Sequence, residues 1–170
     1  MRATSGTDIC ALFRCLTHGV YVIGATHAGQ RDGFTAACVV QASYRPPLLA
    51  ACVNPRNASH ALLRASGSFV VNVLPRGRLD LARHFGTRSG RDTDKLAGVS
   101  WHPAAGGAPV LDDALACFDC RVEGTLPAGD HEIVLGRVVD GTILNPQAEP
   151  MIYAETGDMD GSSALYPTHF

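Results

Sequence analysis

Short β-branched and apolar runs, each soon closed off by glycine, proline or a polar turn, constrain this chain more than any other feature. Residues 68–74 (Ser-Phe-Val-Val-Asn-Val-Leu) form the strongest of them, and such residues suit a pleated, half-buried strand. Comparable runs cover residues 20–26, 34–43, 48–53, 117–126 and 133–139, with a weaker one at 151–153. Ala28-Gly29-Gln30-Arg31-Asp32-Gly33 is a turn by composition. Pro46-Pro47 marks a break, because proline donates nothing to a strand ladder. Helical spacing is confined to residues 8–18, with Ile9, Leu12, Phe13 and Leu16 behind an Asp8 cap, and to 59–65 and 79–85. Residues 86–109 are a polar, glycine-rich excursion around Trp101. The sum is a mainly β chain of six or seven antiparallel strands with two or three short helices, a barrel or sandwich. A doubly wound α/β sheet would need a helix after nearly every strand. No Gly-x-Gly-x-x-Gly follows a strand, so a nicotinamide cofactor would not sit in a Rossmann crevice.

Composition narrows the function classes. The 170 residues fit a single domain spanning 1–170, and 46% hydrophobic with 18% charged residues is ordinary for a globular protein. A net charge of −2 without a basic stripe argues against nucleic acid. The apolar stretch at 16–25 is too short for a membrane span and is broken by Thr17, His18 and Gly19; Asp8 and Arg14 precede it, unlike a secretory leader. A cytoplasmic location is expected. Reduced thiols are therefore expected for the six cysteines. Cys117 and Cys120 form the one Cys-x-x-Cys; a zinc ribbon needs a second pair, and Ala116, Phe118 and Cys120 read instead as one strand face. No two of the seven histidines have metal-pair spacing, so no metal site is expected.

Three segments carry candidate chemistry. Asp32-Gly33-Phe34-Thr35-Ala36-Ala37-Cys38 has small side chains that let a flat ligand reach the backbone, though a tightly packed strand pair would look the same. Residues 57–60 open a helix, with Asn57 or Ser59 as its cap; free amides at such an end favour phosphate, and Arg56, Ser59 and His60 could add charge or donors. Gly129-Asp130-His131 is a turn carrying a histidine ahead of a strand. Counting alone leaves a Ser–His–Asp triad open, but no Gly-x-Ser-x-Gly elbow positions a nucleophile.

The order of these segments resembles the flavin reductase-like family, short-chain reductases built on an FMN-binding split barrel of Greek-key type. The matching residues are Thr17-His18-Gly19-Val20, Asp32-Gly33-Phe34-Thr35, Ser43 with Pro46-Pro47-Leu48, and Phe69-Val70-Val71-Asn72-Val73-Leu74. They continue through Leu81-Ala82-Arg83-His84-Phe85, Asp94-Lys95-Leu96, Pro109-Val110-Leu111, Cys120-Arg121-Val122 and Gly129-Asp130-His131 with Gly136. Collinear over about residues 10–153, they are consistent in a way no single motif is.

The resemblance implies hydride transfer from NADH or NADPH to FMN or FAD, with the reduced flavin supplied to a separate monooxygenase. It implies an isoalloxazine seat along Thr35, Ala36, Ala37 and Cys38, with Gln41, Ala42 and Ser43 nearby. Cys52, Val53 and Asn54 would line the ring or ribityl side, Ser59 and His60 would approach phosphate, and Phe85-Gly86 would touch flavin. His131 would lie near the nicotinamide as the catalytic contact, and the protein would be a homodimer. Three departures stand out. Ala37, Cys38 and Gln41 replace small polar residues, Arg45 replaces an acidic one before Pro-Pro, and the tail at 154–170 lacks a closing aromatic strand. Two other readings fit the same residues: a flavin protein that retains its cofactor for a different role, and a cofactor-free interaction barrel.

Overall fold

The computed structural model describes residues 8–169. Seven strands form one antiparallel sheet: β1 (Tyr21–His27), β2 (Gln30–Ala36), β3 (Val39–Ser43), β4 (Leu48–Val53), β5 (Ser68–Val73), β8 (Ala116–Ala128) and β9 (His131–Ile143). A separate two-stranded sheet pairs β6 (Trp101–Pro103) with β7 (Pro109–Leu111). Three helices accompany them: α1 (Ile9–Phe13), α2 (Ala58–Ser66) and α3 (Leu79–Gly86).

The large sheet runs β2-β1-β5-β8-β9-β4-β3, so β2 and β3 are its two edges. A flat sheet of seven strands would hold those edges about 29 Å apart. Yet β2 ends at Ala36 and β3 begins at Val39, a step that spans at most about 11 Å. The sheet must therefore curl until its edges meet at Ala37-Cys38. Among the described residues no ladder joins β2 to β3 beyond that corner. This is a split barrel, with the non-sequential Greek-key-type strand order expected.

Inside the curl lie Ile23, Phe34, Ala51, Val53, Phe69, Val71, Cys120 and Val134, with Leu63 of α2 packed among them. Strand β4 shows the pleat directly: Leu49, Ala51 and Val53 point inward while Leu48, Ala50 and Cys52 face out. Strands β1 and β5 are buried on both faces: on the far side Val22 of β1 meets Leu81, Ala82 and Phe85, and Val70 of β5 meets Ala108 and Val110. That double burial explains the unbroken apolar run in β5. Its one amide, Asn72, is fully used: it donates to the carbonyls of Val22 and Pro109 at 3.1 Å each and accepts from Leu111 N at 2.8 Å. The β6–β7 ribbon is pinned to the barrel there.

Several expectations need correction. Only Ala28 (φ 50°) and Gly29 (φ 80°) make the first hairpin turn, a two-residue left-handed turn that matches strand twist. Residues 30–33 are strand, paired from His27↔Gln30 through Gly24↔Gly33. The run at 34–43 is two strands broken at the corner. The excursion at 86–109 contains β6 and the first residue of β7. Helix α1 stops at Phe13, since the chain must extend to pair Gly19 with Ile152. Residues 151–153 form no strand; they contribute only that bridge, beside Pro75↔Pro150. The tail continues in two short 3-10 turns, Tyr153–Thr156 and Ser162–Leu165.

Candidate functional site

The loop between β4 and α2 brings the start of α2 against β2 and the end of α3. The resulting cleft of about 330 Å3 is lined by Thr35, Ser59, Phe85 and Gly86 together with Arg56, Asn57, Arg88, Ser89, Arg91 and Lys95. Four residues expected at a flavin site thus meet in one place. A wider trough of about 790 Å3 continues past Asp32, Ala58, Gly90 and Arg91 toward the β1–β2 hairpin.

Each lining group has a local cause. Helix α2 is capped at Asn57 without a side-chain bond, so its first amides remain free for an anion. Ser59 does not serve as the cap; its hydroxyl donates to Asp32 Oδ2 at 2.6 Å. Asp32 is 5% exposed and Lys95 4%, and Lys95 Nζ lies 3.1 Å from Asp32 Oδ1 as an ion pair without hydrogen-bond alignment. A buried charge survives only when compensated, so Asp32 and Lys95 require each other. Gly90 is required by the same carboxylate, which a Cβ there would overlap. Thr35 donates its hydroxyl to Ala82 O at 2.7 Å, tying the β2 edge to α3. Arg91 is held over the cleft by donating to Arg56 O at 3.1 Å.

The cleft is therefore cationic. Arg14, Arg31, Arg64, Arg76, Arg78 and Arg137 are paired with carboxylates elsewhere. Arg56 and Arg88 have no such partner among the described residues. Of this donor set, Arg88, Ser89, Arg91 and Lys95 escaped the sequence reading. The available signal is Arg88-Ser89-Gly90-Arg91, one residue after Phe85-Gly86, two arginines flanking a small turn.

The remaining candidates lie around the barrel corner. From Thr35 the chain passes through Ala36, buried at 7% exposure, and Ala37 to the exposed Cys38. Cys38 extends β3 against β4, accepting from Cys52 N at 2.9 Å. Gln41, Ala42 and Ser43 follow along that edge strand. Val53 points into the core and offers only backbone to a ligand. Asn54 turns its side chain inward on the loop, accepting from Arg56 N at 2.9 Å.

His131 and His60 separate. Gly129 (φ 64°) and Asp130 turn the β8–β9 hairpin, and the pairing Val53↔Glu132 carries His131 alongside Asn54. The His131 ring donates from Nδ1 to Asp130 at 2.8 Å, which holds that carboxyl below the usual range and leaves Nε2 free. His60 does not reach the cleft. It faces the other way on α2, donating from Nε2 to Glu132 at 2.8 Å, with Arg64 3.6 Å from the same carboxylate. Those partners hold Glu132 below its ordinary pKa. The helical phase of α2 puts Ser59 against β2, and the next residue must look elsewhere.

The geometry offers an anion seat beside a helix N-terminus and, around a corner of small residues, an outward sheet face of Ala50, Cys52, Ile133 and Leu135. Among the described residues no cluster of three metal-ligating side chains occurs, and no helix is long and apolar enough to cross a membrane.

The chain is similar to several known proteins. The chain is 39% identical over 141 residues to a high molecular weight rubredoxin of Moorella thermoacetica, covering 82% of this chain but only 61% of that protein. It is 36% identical over 140 residues to an FMN reductase (NADH), RutF, of Methylorubrum extorquens, covering 82% of this chain and 67% of the relative. The crystal structure of nitrilotriacetate monooxygenase component B from Mycobacterium thermoresistibile superposes with a TM-score of 0.77 at 31% identity, over 84% of this chain and 79% of that one. The model of the flavin reductase like domain matches residues 13–162, and the chain belongs to that family.

Proposed function

We propose that this protein is a flavin reductase of the cytoplasm, which passes hydride from NADH or NADPH to FMN or FAD and supplies the reduced flavin to a separate monooxygenase. One observation carries the reading. The cationic cleft at the start of α2 leads, through the small residues Thr35 to Cys38, onto an apolar outward strand face. A flavin nucleotide has the same two parts, an anionic phosphate and a flat ring. The relatives' names add support: one is an FMN reductase using NADH, and one is a monooxygenase component.

Flavin supplies the hydride acceptor, so the protein needs no nucleophile or general base. Its own residues bind and orient. Arg56, Arg88, Arg91 and the free amides of α2 hold the phosphate, with Ser59 and Lys95 beneath, fixed by Asp32. Strands β2 and β3 are sheet edges, so the backbone around Thr35–Cys38 presents unpaired amides to the ring's polar rim. His131, with Nδ1 committed to Asp130, orients the nicotinamide through Nε2 or by stacking. The trough beyond Gly90 has room for the adenylyl half of FAD. A second copy of the chain packs against the part of the outward face where Val40 is 62% and Leu126 61% exposed beside Ile133 and Leu135, leaving the Cys38–Cys52 corner open and giving a two-fold dimer.

Steady-state turnover of each free flavin with each nicotinamide tests the reading. Many equivalents of flavin reduced per chain are expected with at least one combination. Reduction that stops at one tightly held equivalent would place the protein among flavin carriers instead.

A further inference from the structure

We infer that Cys38 and Cys52 form a peroxide-responsive dithiol that closes to a disulfide at the corner where the barrel edges meet. The site of the bond rests on the strand register alone; its effect on flavin rests on the function proposed above.

The register places the two residues directly opposite. Val39 pairs with Ala51, so the next pair outward is Cys38 with Cys52, joined by the 2.9 Å bond from Cys52 N to Cys38 O. Opposite residues share a face of the sheet. Cys52 alternates with the core-facing Ala51 and Val53, so both thiols point outward. They adjoin one another: partial shielding of the Cys38 sulfur from water, and after it the neighbouring Cys52, push the Cys38 thiol above its usual pKa. Opposite antiparallel residues have Cα atoms about 5.5 Å apart at a hydrogen-bonded pair, inside the range of about 4.4–6.8 Å that a disulfide spans. Strand β3 is an edge with a bulge between Gln41 and Ser43, so it has freedom to close the remaining distance between the Cβ atoms. Cys38 is exposed and Cys52 half-buried, whereas Cys120 lies in the core with its thiol pushed up to about 12.

The chemistry balances with hydrogen peroxide as oxidant, a species formed whenever reduced flavin meets dioxygen in solution. Cys38, the more open thiol, gives up its proton, and its sulfur attacks one peroxide oxygen. The O–O bond breaks, the departing oxygen leaves as water, and Cys38 becomes a sulfenic acid. The sulfur of Cys52 then attacks that of Cys38; the S–O bond breaks and a second water leaves. Two thiols are oxidised by two electrons, and one peroxide is reduced to two waters. The raised thiol pKa slows the first step, so the pair answers sustained peroxide. A bond at an exposed sheet edge is readily reversed by a thiol reductant. It also draws together the strands proposed to flank the isoalloxazine, so oxidation weakens flavin binding.

The test exposes the reduced protein to graded peroxide, unfolds it in an alkylating reagent and weighs it. The expected product carries two fewer alkyl groups than the reduced protein, and both thiols return after dithiothreitol. Cys38→Ser and Cys52→Ser should each abolish that product. Flavin titration of the oxidised protein should show about tenfold weaker binding, one decade in Kd, restored by reductant. Each variant, referred to its own untreated state, should show no such change. Six alkylated thiols after peroxide, or a bond that survives in either variant, would overturn the inference. A disulfide formed in a protein that binds no flavin before or after treatment would leave the dithiol standing and sink the functional reading.

Discussion

The two surfaces that meet at Ala37-Cys38 are built by opposite means. The cleft at the start of α2 is a charge device: three arginines at its mouth, and beneath them a buried Asp32–Lys95 pair that only Ser59 and the passing Gly90 accommodate. On the outward face of β3, β4 and β9, Val40, Ala50 and Ile133 stand in no such network among the described residues and are ordered by the sheet. A phosphate must be matched by fixed donors, whereas a flat ring needs a smooth surface and a few edge amides. The fold supplies the first from loops and a helix end, and the second from strands.

That contrast predicts very unequal responses to mutation. Asp32→Ala strands Lys95 as a buried, unpaired charge and should cost about 3–5 kcal/mol in urea unfolding. Val40→Ser on the apolar face strands no charge and should cost no more than about 1 kcal/mol. Equal losses at the two positions would erase the distinction.

Charge specificity gives the next effect. Arg88→Ala and Arg91→Ala each remove a donor proposed for phosphate, worth about 1.5–3 kcal/mol. Either should weaken FMN roughly ten- to hundredfold in equilibrium titration and leave riboflavin, which lacks the phosphate, unchanged. Losses shared equally by both flavins would mean that the arginines support the fold instead of the ligand.

His131→Ala addresses the boundary between flavin and nicotinamide. Losing an orienting contact should lower kcat/KM for the nicotinamide about ten- to hundredfold, or about 1–3 kcal/mol. The flavin Kd should stay within about threefold, under 1 kcal/mol. A collapse of flavin binding would move His131 into the flavin pocket.

The smallest effect belongs to the partner histidine. Glu132 is held below its ordinary pKa by His60 and Arg64. Its folded pKa thus lies under the unfolded one, so its contribution is complete above about pH 4.3 and is lost as pH falls through the folded value. Glu132→Gln should remove about 0.2–1 kcal/mol at neutral pH, with the difference vanishing at low pH. A deficit that persists in acid would show that packing, not charge, is lost.

Legibility in the sequence followed the source of each constraint. Strand β4 is read to the residue at 48–53, and α3 nearly so, because alternation and helical period are local signals. The turn assigned to residues 30–33 extends too far because Asp and Gly are turn formers by composition. Their place in β2 depends on Lys95, sixty-three positions after Asp32, and on Phe85, 3.3 Å from where a Gly33 Cβ would sit. The arginines of the cleft look like any solvated loop until the chain folds them over α2. The family resemblance places His60 at the phosphate together with Ser59, yet consecutive helical residues diverge by about 100°, and only tertiary structure shows which one faces the cleft.

Parallel equilibrium titrations of the purified protein with FMN, FAD and riboflavin test the central claim most directly, that one flavin nucleotide spans the cationic cleft and the apolar strand face. The account predicts saturation at one flavin per chain at micromolar concentration for FMN or FAD, and binding at least about tenfold weaker, or 1.4 kcal/mol, for riboflavin. Equal affinity for riboflavin would remove the cleft from the site, and no binding of FMN or FAD at micromolar concentration would contradict the account as a whole.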